Sequence, residues 1–143
     1  MKKIFSSAIL FFTFVTFIFT SCEKKYEEGP AYSLRSAKSR VAGDWKVDKI
    51  LYNGTDISSD PSAADIKSSK LDIEKSGVYT ITGGNTDAGT WKLGEDKDDV
   101  LLTSGTAGST LQTYRILKLK NKEMWWKQTQ SNGDVLELHL LAD

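Results

Sequence analysis

The chain has 143 residues, 19 basic and 19 acidic side chains, one cysteine and one histidine. It has no basic stretch suited to a polyanion, which argues against nucleic acid as a partner. A single histidine and a single cysteine cannot assemble a zinc cluster or an intramolecular disulfide, so no metal or other cofactor is expected.

At the N-terminus Met1-Lys2-Lys3 is followed by a nearly unbroken apolar run, Ile4 to Phe19, that contains every phenylalanine of the chain. At about 16 residues the run suits the hydrophobic region of a secretory signal and is short for a membrane span. Thr20 and Ser21 then lead into Cys22. This arrangement resembles the bacterial lipobox, with Phe19 where leucine is commonest. The resemblance implies a diacylglycerol on the Cys22 thiol, cleavage just before it, and acylation of the new amine by a fatty acid such as palmitate. Residues 1–21 are then a signal peptide, and the mature chain has 17 basic against 19 acidic residues. The expected partner is a membrane reached through this anchor. The expected location is the cell envelope of a Gram-negative bacterium, at the outer membrane, with the face left open. An uncleaved signal anchor with a free Cys22 is the alternative. Two or three acyl chains hold a protein at a bilayer far more firmly than one, at about 0.8 kcal/mol per buried methylene.

From Glu23 to Arg40 the sequence is polar and lacks apolar periodicity. Residues 22–40 therefore read as the lipidated cysteine and a flexible tether, with a coil span on the order of 25 Å. Residues 41–143 read as one folded domain. Asp44 to Tyr52, Lys70 to Lys75 and Val78 to Thr82 alternate apolar with polar residues. So do Gly89 to Leu93 and Val135 to Leu140, while Val100 to Thr103 reads as a buried-strand run, Thr113 to Leu119 is rich in β-formers, and Met124 to Gln128 reads as the strand after the Asn121-Lys122 turn. Ser76-Gly77, Asn121-Lys122 and Asn132-Gly133 supply turn chemistry between them. The links are too short for parallel crossovers. The fold class expected is all-β: an eight-stranded antiparallel up-and-down barrel, which hides one apolar face and removes both edges. An open meander or a two-sheet sandwich is the runner-up. Only Asn53 to Ser69 is a long connection. Asp60-Pro61 predicts a short helix over Pro61–Ile66, packed over one barrel end through Ile57, Ala63, Ala64 and Ile66.

Gly43-Asp44-Trp45, Ser76-Gly77-Val78-Tyr79, Gly89-Thr90-Trp91-Lys92-Leu93, Tyr114-Arg115-Ile116 and the Leu136–Leu141 end occur in that order. Together they resemble the small lipocalin-like (calycin-type) domains of bacterial lipoproteins. The resemblance covers residues 41–143 and implies a barrel whose first-strand tryptophan, here Trp45, plugs the closed end beneath an arginine. Arg115 is the best-placed candidate for that arginine.

Catalytic motifs are missing, and the chain is expected not to be an enzyme. The acidic turn Glu95, Asp96, Asp98 and Asp99 lacks the length and glycine of calcium loops and reads as a solvated hairpin turn. His139 falls on the face opposite Leu138 and Leu140. Trp125 and Trp126 are adjacent and must point to opposite faces. The outer one marks either a binding surface or a site covered by the tether or the long loop. The aromatic set Tyr79, Trp91, Tyr114 and Trp126, with Arg115 as partner for a charged head, is the expected lining for a small apolar or amphipathic ligand entering beneath the Asn53–Ser69 loop. The same residues would fill a solid barrel, in which case the domain is a structural or protein-interaction module of the envelope. Both readings stand at this point.

Overall fold

The computed structural model describes residues 26–28 and 33–143. Cys22 and the signal segment lie outside the described residues. Helix α1 (Ala37–Val41) leads into β1 (Gly43–Tyr52), then the two-residue β2 (Thr55–Asp56). A 3-10 turn (Pro61–Ala63) runs into α2 (Ala64–Ser68), followed by β3 (Lys70–Ile73), β4 (Val78–Thr82) and β5 (Asp87–Leu93). The remaining strands are β6 (Asp99–Ser104), β7 (Leu111–Leu119), β8 (Glu123–Thr129) and β9 (Val135–Ala142).

Every strand pairs antiparallel with its neighbour in the order β1-β3-β4-β5-β6-β7-β8-β9, and β9 returns to β1. The eight long strands thus close into an up-and-down barrel, with β2 as a short hairpin on the end of β1. Closure follows from the alternation. Each strand carries one apolar face, and only a continuous ring buries all of those faces without leaving an edge.

One end, the base, is filled. Trp45, Ile73, Tyr79, Trp91, Ile116, Leu119 and Met124 are buried in a single cluster. Trp45 is 2% exposed and donates from Nε1 to the Val41 carbonyl at 2.9 Å, which ties β1 to the helix before it. Trp91 Nε1 donates to the Glu74 carbonyl at 2.6 Å in the β3–β4 turn.

The described part of the segment read as a tether packs on the domain. Tyr26 is 3% exposed within the core cluster, and its hydroxyl donates to the Lys97 carbonyl at 2.8 Å in the β5–β6 turn. Burial pushes the Tyr26 phenol up to about 12, partly offset by the positive charge of Arg40. The Glu28 N–H donates to the Leu117 carbonyl at 2.8 Å. Leu117 is the extra residue of a bulge between β7 and β8, where the ladder skips from Ile116 to Lys118. A bulge leaves such a residue unpaired, and the N-terminal segment takes up its carbonyl. The arginine at the closed end is Arg40 rather than Arg115. Arg40 is 4% exposed, donates from Nη1 to the Leu119 carbonyl at 2.7 Å, and lies 5.9 Å from the Tyr26 ring centre. The short helix Ala37–Val41 is capped by the Ser36 hydroxyl.

At the other end β1 outruns β3. The β1–β3 ladder stops at Lys46 with Lys70, and the upper part of β1 pairs instead with Thr55 and Asp56. Helix α2 covers the gap. Asp60 caps the 3-10 turn through Ser62 N–H at 2.8 Å, as its place before Pro61 predicts. Lys67 Nζ donates to the carbonyl of Asp48, the extra residue of a second bulge between β1 and β9. Gly83 and Gly84 in the β4–β5 turn lie directly against α2. A β-carbon at Gly84 would overlap the Asp65 carbonyl, so the close approach requires glycine there.

Trp45→Ala should remove about 3–5 kcal/mol of stability, since it empties the centre of the base. Urea unfolding measures this, and a near-native midpoint would contradict the role assigned to Trp45.

Candidate functional site

The upper end is not filled. Between α2 and the barrel interior lies a cavity of about 250 Å³. Val47, Leu71, Ile81, Leu102, Leu138 and Leu140 form most of its wall, Ile66 and Ser69 come from the α2 segment, and Asn85 stands at the rim. Tyr114 and Trp126 form an aromatic corner, with ring centres 4.7 Å apart and planes tilted by 31°. Each wall residue arrives from an alternating strand whose inward positions are apolar. The cavity lies at the end where β1 has parted from β3 and α2 takes over the wall.

Its polar equipment is sparse. The Ser69 hydroxyl donates to the Asp65 carbonyl at 2.7 Å and accepts from the Asn85 N–H at 3.0 Å, so it is already occupied. The Tyr114 hydroxyl makes no hydrogen bond among the described residues and is not sealed from solvent. Burial pushes the Tyr114 phenol above its ordinary value, with the negative charge of Asp87 adding to the effect, so it remains a neutral donor. Trp126 Nε1, by contrast, is sealed and lacks a hydrogen-bond partner. Such an orphan donor costs about 1–3 kcal/mol. Among the described residues, no carboxylate, histidine, lysine or arginine lines the cavity.

The expected lining set is therefore divided. Tyr114 and Trp126 stand in the wall. Tyr79 and Trp91 point inward as expected but belong to the filled part, not to the cavity wall. Arg115 is on the outer surface, where its side chain is 48% exposed and pairs with Asp98 at 3.3 Å and Asp99 at 4.0 Å. It cannot receive a charged head inside the barrel. The parity of β7 explains the correction: Tyr114 and Ile116 face inward, which turns Arg115 out. Asp98 and Asp99, in and beside the turn considered for calcium, are those two partners of Arg115.

Trp126 is the inward member of the tryptophan pair, and Trp125 faces out. Neither the tether nor the long loop is needed to cover Trp125. His139 stacks on it with ring centres 3.9 Å apart and planes 2° apart, and Lys118 Nζ lies 3.8 Å from the ring centre on the neighbouring strand. Lys118 is held by Glu123 at 2.9 Å and His139 by Glu137 at 2.6 Å. The cross-strand register sets this sandwich, pairing Lys118 with Trp125 and Trp125 with His139.

No protein-family model matches this chain, and no curated protein matches it in sequence.

Next to Tyr114, Asp87 accepts from the Tyr79 hydroxyl at 2.6 Å and the Ser104 hydroxyl at 2.6 Å. These bonds, Ser104 first, hold the Asp87 carboxyl below its ordinary value. A depressed folded-state value means the contribution to stability is present above the unfolded value, about 3.9, and is lost as pH falls through the folded one. Asp87→Ala should cost about 1–3 kcal/mol at pH 7, because the buried Tyr79 hydroxyl loses its acceptor. Guanidinium unfolding at pH 7 and at progressively acid pH should show the gap from wild type narrowing as the carboxyl protonates. A gap independent of pH would contradict the assigned role.

Proposed function

We propose that this chain is a lipid-anchored lipoprotein of the bacterial cell envelope, with a non-catalytic lipocalin-like domain that binds a small, mainly apolar molecule. The observation that carries the binding part is the apolar cavity of about 250 Å³ at one barrel end. A cavity walled by leucine and isoleucine, with few polar groups, is what a ligand of that kind requires. A fully filled barrel acting only through its outer face is the weaker reading, since it leaves this cavity without a role.

The anchoring part rests on the sequence around Cys22. The fold adds a geometric consequence. Cys22 is four residues before Tyr26, and Tyr26 is seated in the base. Four extended residues reach at most about 14 Å. An anchor at Cys22 therefore holds the filled base near the bilayer, and the cavity end points away from it. A ligand then arrives from the aqueous side of the domain rather than from the lipids beneath it.

Cys22→Ala should leave the chain unprocessed or soluble and reduce its share in the membrane fraction. Unchanged partition would favour an uncleaved anchor. Leu138→Trp, which fills the cavity from β9, should abolish saturable binding of benzene-sized apolar probes followed by tryptophan indole N–H shifts. Equal binding by wild type and the filled variant would remove the cavity as the binding site.

A further inference from the structure

We infer that the cavity takes a compact, uncharged molecule of about ten heavy atoms, apolar except for one hydrogen-bond acceptor that meets the Tyr114 hydroxyl. This rests on the reading of the cavity as a ligand site and specifies what that site accepts.

Size sets the first limit. An apolar cavity of about 150 Å³ holds one benzene ring, so the space here suits about ten heavy atoms. The volume of about 250 Å³ falls below the range for drug-sized ligands and far below what a buried long acyl chain needs.

Charge sets the second limit. Among the described residues the wall carries no cation, and Arg115 pairs outside with Asp98 and Asp99. The fixed charge that acts on Tyr114 is the carboxylate of Asp87, which is negative and already hydrogen-bonded by Tyr79 and Ser104. A carboxylate or phosphate entering the cavity would be desolvated with no counter-charge and would face a like charge. A neutral carbonyl or ether oxygen meets neither penalty.

Hydrogen bonding sets the third. The Ser69 proton is committed to Asp65 and Trp126 Nε1 is sealed, which leaves the Tyr114 phenol as the side-chain donor available within the described wall, with the exposed Asn85 at the rim. A hydrocarbon would leave that donor without a partner on displacing water from it, whereas an acceptor in the ligand restores the bond. The Tyr114 ring packs on Trp126 and offers a flat face to an aromatic or cyclic body.

Three probes that share a phenyl ring test this: ethylbenzene, acetophenone and benzoate. They are titrated into the full chain in lipid nanodiscs, with empty discs as blank, and followed by tryptophan indole N–H shifts. Acetophenone should bind tightest, ethylbenzene more weakly, and benzoate should give no saturable shift. Tyr114→Phe keeps the ring and should weaken acetophenone by about 3- to 10-fold while leaving ethylbenzene unchanged. Benzoate binding as tightly as acetophenone in the wild-type chain overturns the ligand class and leaves the cavity reading intact. Equal weakening of ethylbenzene and acetophenone by Tyr114→Phe does the same. No saturable shift with either neutral probe overturns the cavity reading and the ligand class together.

Discussion

The structure depends on one ladder, the pairing of β1 with β9. Its seven registered pairs run from Trp45 with Ala142 to Tyr52 with Leu136 and turn a meander of hairpins into a ring. Without it, two long strands would present unpaired backbone to water and the inward faces would have no common interior. The ladder also makes β1 serve two partners of unequal length. Four residues of β1 pair with β3, and the upper part must find its second neighbour elsewhere. The Asn53–Ser69 connection supplies it, through the β2 hairpin and α2. The long loop is thus the repair of a gap in the wall, and the cavity lies beneath that repair.

The two bulges have parallel uses. Each interrupts a ladder by one residue, and each offers the freed carbonyl to an element outside the barrel wall. Asp48 receives Lys67 from α2 at the open end, and Leu117 receives the Glu28 N–H at the base. The same device fastens the lid at one end and the N-terminal segment at the other. In the proposed envelope lipoprotein these fastenings give the domain a direction, with its base toward the anchor and its mouth toward the solvent. They also divide the labour between the ends. Trp45, Tyr79 and Trp91 pack into the base, and the mostly aliphatic wall above, with Tyr114 and Trp126 at one corner, leaves room.

Much of this was legible in the sequence. Alternation, runs of β-formers and turn residues located all eight long strands, Ser76-Gly77 and Asn132-Gly133 marked turns with positive-φ glycines, and Asp60-Pro61 marked the start of the helical segment. Inward parity was also readable, and Tyr79, Trp91, Tyr114 and Trp126 all face in. Alternation tells which face a residue takes but not its height along the barrel axis. That is why Tyr79 and Trp91, although inward, fall in the filled part. Arg115 was misplaced for a related reason: it flanks an inward tyrosine and so must itself face out. Tyr26 and Arg40 were not legible as base residues, because a lone aromatic and a lone arginine in a polar stretch carry no period. The carbonyls at Lys97 and Leu119, brought there by turns far along the chain, are among their partners.

The barrel is closed, packed at the base and hollow beneath α2. Crystals pressurised with xenon test this most directly, because a dry apolar cavity takes up xenon and a packed core does not. Xenon density is expected between Leu102, Leu138 and Trp126, beneath α2, and none beside Trp45 or Trp91. Xenon in the base, or continuous side-chain packing with no xenon at the upper end, would contradict it.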